Sequence, residues 1–292
     1  MKLHFDKARS WLMCPALNEP MLLKASGRGA DVVVVDLEDG IPPEGKDQAR
    51  AIAARTVASN EGNYVVRIND PATGPPGLAL DDVRGVLSPG LKGIMVPKVE
   101  SPDTLRQVFD VIGQYKGGLF PGFEVIPLIE TPAGVEALDS ICAVGGPWLA
   151  RVAFGAGDYT ASLGVEWSHK PDQLLYPRSR IASVSSARGL SAPIDTGSPI
   201  LDDRETFVAD GAQAKLLGFK AKFCINPRQI EWVHSLFMPT QAEIDRALKI
   251  VEAYERVERE GKGERITVAQ GWMIDLPIVK HSYSLLQRTG LR

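Results

Sequence analysis

"VVVVDLED" occupies residues 32–39, and four valines running straight into acid decide how the rest of the chain is read. A strand half exposed to water alternates apolar and polar residues, whereas one covered on both faces stays apolar throughout. Val32 to Val35 therefore fit the interior of a parallel sheet layered with helices, and the acids begin where burial stops, at the strand's carboxyl end.

Working outward, the same signature recurs. Apolar runs stand at WLMCPA (11–16), YVVRIND (64–70), GIMVPKV (93–99), EVIPLIET (124–131), RVAFGAGD (151–158), SAPIDT (191–196) and AKFCIN (221–226), which with the first makes eight. Between them lie segments of helical periodicity or helix-forming composition, such as KDQARAIAARTVAS, SPDTLRQVFDVIGQY and RSRIASVSSARG, several with a Ser or Asp near the start suited to an N-cap. Eight such units in about 230 residues predict an α/β fold of the (β/α)8 TIM-barrel type. An open doubly wound sheet would carry a Gly-rich phosphate turn after its first strand, and no G-x-G-x-x-G stands there.

The expected organisation is a barrel catalytic domain over 1–238 and a C-terminal helical extension or lid over 239–292. In the extension, TQAEIDRALKIVEAYERVEREGKG reads as a long helix. Its apolar stripe at Ile244, Ala247, Leu248, Val251 and Tyr254 suits packing on the barrel or on a neighbouring subunit. EREGKGE (258–264) reads as a hinge.

Composition narrows the function classes. The chain has 292 residues, 44% hydrophobic and 24% charged, with a formal net charge of −3, so it offers no basic field for nucleic acid or an anionic membrane surface. No stretch approaches the ~18 apolar residues of a membrane span, and the N-terminal segment lacks a secretory apolar core. The expected location is the cytoplasm, with neither nucleic acid nor membrane as partner. Cys14, Cys142 and Cys224 are odd in number and widely spaced, which reads as buried thiols rather than disulfides or a zinc site.

In a barrel the active site gathers at the carboxyl ends of the strands. Those ends carry Glu38 and Asp39, Arg67 and Asn69, Lys98, Glu130, Asp158, Asp195 and Asn226. Glu130 and Asp158 end neighbouring strands, with Gly155 and Gly157 expected to clear bulk beside Asp158. Two carboxylates with no His or Cys nearby suit a hard cation such as Mg2+, which keeps waters and takes further oxygens from substrate; separate salt bridges are the alternative. Arg67 offers a fork that matches a substrate carboxylate, against a plain surface ion pair. Lys98 is open to two readings, a Schiff base or an ion pair with Glu100 or a mouth carboxylate.

Beyond these single residues, an ordered series of segments resembles the citrate lyase β-subunit-like group of the HpcH/HpaI aldolase superfamily. The segments are RSWLMCPALNEPMLLKA, ADVVVVDLEDG with Lys46, VRIN, VPKVESP, PLIETPAG, FGAGDYTASLG, APIDT, GFKAKFCINPRQI, FMPTQAEIDRA and GWMIDLP. The resemblance implies a trimeric or dimer-of-trimers Mg2+ enzyme that makes or breaks a carbon–carbon bond between acetyl-CoA and a 2-oxo acid. It implies Glu130 and Asp158 as metal ligands, Arg67 and Glu130 at the substrate, and Lys24 with an Ile194–Asp195 turn at coenzyme A. It also implies Asp275 as a catalytic acid reaching a neighbouring protomer, whereas the residues alone read Asp275 as a helix cap. Asn226, Ala221, Pro20 and Ala16 depart from the pattern. A CoA-independent class II aldolase and a non-catalytic metabolite-binding subunit stand as alternatives.

Overall fold

The structure, a computed structural model, describes residues 4–59, 62–168, 170–260, 267–269 and 272–291. Eight parallel strands close into a barrel in sequence order: β1 Ser10–Pro15, β2 Val32–Asp36, β3 Tyr64–Arg67, β4 Gly93–Val96, β5 Glu124–Ile129, β6 Ala153–Phe154, β7 Ile194–Asp195 and β8 Ala221–Cys224. β8 returns to pair with β1 through Ser10 with Lys222 and Leu12 with Cys224, leaving no open edge. Helices α1 Glu19–Ala25, α2 Lys46–Ser59, α3 Leu78–Val86, α4 Pro102–Gln114 and α5 Pro132–Cys142 follow the first five strands. α6 Ala156–Ser162 and α7 Leu175–Ala187 follow β6, α8 Arg204–Leu217 follows β7, and α9 Arg228–Phe237 follows β8. The expected barrel is thus observed.

The valine run shows why a closed barrel needs apolar residues on both strand faces. Val32 and Val34 pack inside with Trp11, Val65, Met95 and Ile126. Val33 and Val35 face the helix layer with Leu12, Val66 and Val96. All four valines are at most 3% exposed, as the alternation of side chains across a strand requires when both faces are covered. Helices begin where capping side chains satisfy their first N–H groups: Ser101 accepts from Asp103 N at α4, Thr131 from Gly134 N at α5, and Asp203 from Thr206 N at α8.

Residues 1–237 and 238–292 form two compact units. The second contains α10 Gln241–Glu260, α11 Leu276–Thr289 and an antiparallel pair, β9 Thr267–Ala269 with β10 Trp272–Ile274, which the helical pattern of the extension does not announce. The apolar stripe of α10 has its partner within this unit. Ala247 and Val251 pack with Leu286 of α11, and Ile250 and Ala253 with Ile274 and Val279. Most of the hinge expected at 258–264 lies outside the described residues.

Candidate active site

The site is built from the β2 end. Asp36 closes the strand on the same inward face as Val32 and Val34, and its two oxygens accept from Nε and Nη2 of Arg67, both at 2.8 Å. Nη1 of Arg67 lies 2.8 Å from Oε2 of Glu38. From sequence the Arg67 fork is offered to a substrate carboxylate; the structure gives that fork to Asp36 and sets Nη1 beside Glu38, so what remains for a substrate is the second N–H of Nη1 and of Nη2. Lys46 pins the loop after β2, donating to the carbonyls of Leu37 and Glu38 at 2.9 and 2.8 Å.

Lys98 joins the two halves of the site. Its Nζ is 2.7 Å from Glu38 Oε1, 3.4 Å from Asp39 and 3.7 Å from Asp158 Oδ2, while its backbone N–H donates to Glu130 Oε1 at 3.0 Å. It does so at φ 48°, among the described residues the one left-handed conformation outside glycine. Burial works against the Lys98 charge, but the hydrogen bond to Glu38 and the carboxylates of Glu38, Asp39 and Asp158 outweigh it and hold the ammonium above its ordinary value. A charged amine is no nucleophile, which favours the ion pair over the Schiff base.

Glu130 follows β5 directly and is 4% exposed. Burial, then the nearby charge of Glu38 and that of Asp158, push its carboxyl up to about 8 against the pull of Arg67 and the Lys98 N–H. Glu38 is raised too, by burial first, with Arg67 and Lys98 opposing. Asp158 lies in the first turn of α6, whose opening N–H, that of Ala156, donates to Thr196 Oγ1 at 2.9 Å. Glycine is required at 155, but for a different carboxylate than expected: a Cβ there would stand 2.6 Å from Glu130 Oε2, while one at 157 meets nothing within 4 Å.

Five carboxylates, those of Asp36, Glu38, Asp39, Glu130 and Asp158, gather around Arg67 and Lys98. The excess of negative charge, with one carboxyl displaced to about 8, is what a divalent cation would relieve. Among the described residues no group of three or more His, Cys, Asp or Glu is arranged to hold a metal. A pair such as Glu130 and Asp158 suits Mg2+, which completes its octahedron with water and substrate oxygens.

Asp36, Arg67, Glu130, Gly155 and Thr196 line a cavity of about 350 Å³ at the barrel mouth, with Leu128 of β5 two residues before Glu130 and an apolar wall of Met13 and Pro15 from β1 and Phe223 and Ile225 from the β8 end. Met13, Pro15 and Ile225 also line a second cavity of about 580 Å³ that contains Lys24, Arg28, Asn18 and Pro20. Neither Lys24 nor Arg28 has an ion-pair partner among the described residues. Arg28 is not singled out by any pattern in the sequence.

Ile194 and Asp195 require correction. They form strand β7 rather than a turn, and both are 0% exposed. Asp195 points away from the barrel interior and binds Arg178 Nε at 2.9 Å and Lys222 Nζ at 2.6 Å, with Asp210 completing a buried quartet. Its side chain is committed to holding α7 and α8 on the sheet. Asp275 lies in the second unit and caps α11, accepting from Ile278 N at 3.2 Å. Ser10, His234 and Asp31 also meet at the start of β1, but Nε2 of His234 faces both Ser10 Oγ at 2.7 Å and Asp31 Oδ2 at 3.2 Å. A proton relay needs the two ring nitrogens on different partners, so this trio is structural.

The comparisons with known proteins agree with the architecture. Residues 9–227 match the HpcH/HpaI aldolase/citrate lyase family. Citrate lyase subunit beta of Haemophilus influenzae is 33% identical, over 97% of this chain and 98% of its own. The mitochondrial citramalyl-CoA lyase of Rattus norvegicus is 30% identical, over 95% and 85%. The crystal structure of CitE from Mycobacterium tuberculosis, in complex with magnesium, acetoacetate and coenzyme A, superposes with a TM-score of 0.77 at 29% identity over 98% of this chain and 99% of that one. Fold, strand-end acids and sequence relatedness converge, and the chain belongs to the HpcH/HpaI aldolase/citrate lyase family.

Proposed function

We propose that this chain is a Mg2+-dependent carbon–carbon lyase that cleaves, or in reverse forms, a 3-hydroxyacyl-CoA thioester of the citramalyl-, malyl- or citryl-CoA type, giving acetyl-CoA and a 2-oxo acid. The observation that carries this reading is a pair of neighbouring cavities. An acid-rich mouth short of positive charge shares Met13, Pro15 and Ile225 with a second cavity lined by Lys24 and Arg28.

Glu130 and Asp158 would hold the metal. Bound Mg2+ supplies a Lewis acid for the hydroxyl, or 2-oxo, oxygen and the neighbouring carboxylate. Arg67, fixed by Asp36, presents its remaining N–H groups to the substrate carboxylate and to charge developing on the oxygen, where stabilisation raises rate. Lys24 and Arg28 face the anionic coenzyme arm. The Asp195 side chain, buried against Arg178 and Lys222, is left out of this assignment. We assign to Asp275 the protonation of the departing acetyl-CoA enolate, and the removal of that proton in the reverse direction. The resemblance of GWMIDLP supports this role, with the Asp supplied by a neighbouring protomer of a homotrimer or dimer of trimers. Three free, buried cysteines accord with a cytoplasmic setting, and among the described residues no helix is long and apolar enough to cross a membrane.

The test is acetyl-CoA release from citramalyl-, malyl- and citryl-CoA. Turnover is expected with Mg2+, and its loss with chelator, in Glu130→Gln and in Asp275→Ala. Release that persists in Glu130→Gln without metal would overturn the reading; turnover confined to a free hydroxy-oxo acid would identify a CoA-independent class II aldolase.

A further inference from the structure

The two walls of the mouth cavity differ in chemistry. The ends of β2, β3 and β5 contribute Asp36, Arg67 and Glu130, whereas β1 and β8 contribute Met13, Pro15 and Phe223, followed by Ile225. Arg67 is the one cation among the described lining residues, and its fork is filled by Asp36. This polarity bears on substrate choice, provided that the lyase reading, on which the inference rests, holds.

The carbon that is cleaved carries four groups: the arm leading to the thioester, the hydroxyl, the carboxylate and one further substituent. Hydroxyl and carboxylate belong with Glu130, Asp158 and Arg67. The arm leaves toward Lys24 and Arg28, across Met13, Pro15 and Ile225. The fourth group is left against Phe223 of β8, with Leu128 of β5 beside it; they are 5% and 3% exposed. Beyond Phe223, Ile225 is the more open part of the β8 wall, at 47%.

We infer that this fourth group is hydrogen or a short alkyl chain, so that the 2-oxo acid made or used is a monocarboxylate, and that Leu128, Phe223 and Ile225 enforce the choice. A dicarboxylic 2-oxo acid would place its second carboxylate on an apolar wall, without a cation and beside a site already rich in carboxylates. A charge buried without a partner is among the costliest arrangements in a protein.

The experiment is calorimetric titration of the full chain with Mg2+ and no coenzyme, so that binding is read apart from turnover. The probes are pyruvate, 2-oxobutyrate and freshly dissolved oxaloacetate; the last two carry methyl or carboxylate at the same position. Pyruvate and 2-oxobutyrate are expected to bind at least about tenfold more tightly than oxaloacetate. Ile225→Arg, at a half-open position whose backbone N–H still reaches Gln229, should narrow or reverse that ratio by supplying the missing cation. Equal or tighter binding of oxaloacetate by the unaltered chain would overturn the inference and leave the lyase reading standing if acetyl-CoA is released in the separate assay. An unchanged ratio in Ile225→Arg would overturn the part given to that wall residue. If none of the acids binds while Mg2+ does, the inference falls, and the lyase reading falls with it only if no acetyl-CoA is released in the separate assay.

Discussion

A methyl group at position 155 would stand 2.6 Å from Glu130 Oε2 and 2.7 Å from its Cβ, distances no side chain tolerates. Because Glu130 is buried and held by the Lys98 N–H, it has little room to give way. Gly155→Ala is therefore expected to weaken Mg2+ binding at least about tenfold without unfolding the barrel, whereas Gly157→Ala, with open space around it, should leave it unchanged. Calorimetric Mg2+ titration of the two variants side by side decides this; equal behaviour would mean that Gly155 does not shape the Glu130 carboxylate. The sequence displays both glycines beside Asp158 and suggests that both serve it. The clash that matters crosses from β6 to the end of β5, and a contact between neighbouring strands cannot be read from spacing along one of them.

At the scale of the element, side-chain alternation explains both what the sequence reveals and what it conceals. Inward positions run Val32, Val34, Asp36 on β2; Val65, Arg67 on β3; and Ile126, Leu128, Glu130 on and just beyond β5, so these three polar groups inherit the barrel interior from the residues two before them. Strand ends are legible where apolar runs give way to polar residues, and that places Arg67 and Glu130 at the mouth. Counting by twos from Val34 also finds Asp36, which the more conspicuous acids Glu38 and Asp39 overshadow. The same count puts Ile194 inside and Asp195 outside, with Lys222 outside between Ala221 and Phe223. Asp195→Ala would strand Arg178 and Lys222 as buried, under-compensated cations, so a stability loss of about 3–5 kcal/mol is expected. Urea unfolding measures it. A loss below about 1 kcal/mol, the range of exposed ion pairs, together with weakened binding of coenzyme A, would return Asp195 to the ligand. On α10 the periodic stripe is legible but its partner is not, since an apolar face does not name what covers it; α11 does so within the same unit.

For the whole molecule, the crowding of carboxylates couples folding, protons and metal. Glu130 has a carboxyl raised from 4.5 to about 8 in the metal-free fold, and Glu38 is raised as well. The folded chain then binds more protons than the unfolded one, so stability falls as pH rises across that window. The contribution of Glu130 is fully present below 4.5, its ordinary value, and lost by the time pH passes 8. Its slope is at most about 1.4 kcal/mol per pH unit. Carboxyls held low, such as Asp139, Asp203 and Asp210, act in the opposite sense, but below their ordinary 3.8, outside this window. Metal-free protein should therefore melt at progressively lower temperature between pH 5 and 8, a range set by the Glu130 shift. Saturating Mg2+ should flatten the trend, because the cation takes the place of the proton and binds better as pH rises. Glu130→Gln should be flatter without metal and gain little from Mg2+. Thermal melts across this range with and without Mg2+ test the coupling directly. A metal-free Tm that rises toward pH 8, or a Glu130→Gln variant that still gains stability from Mg2+ as the parent does, would place the cation away from Glu130 and separate the excess of acid from the metal it is proposed to hold.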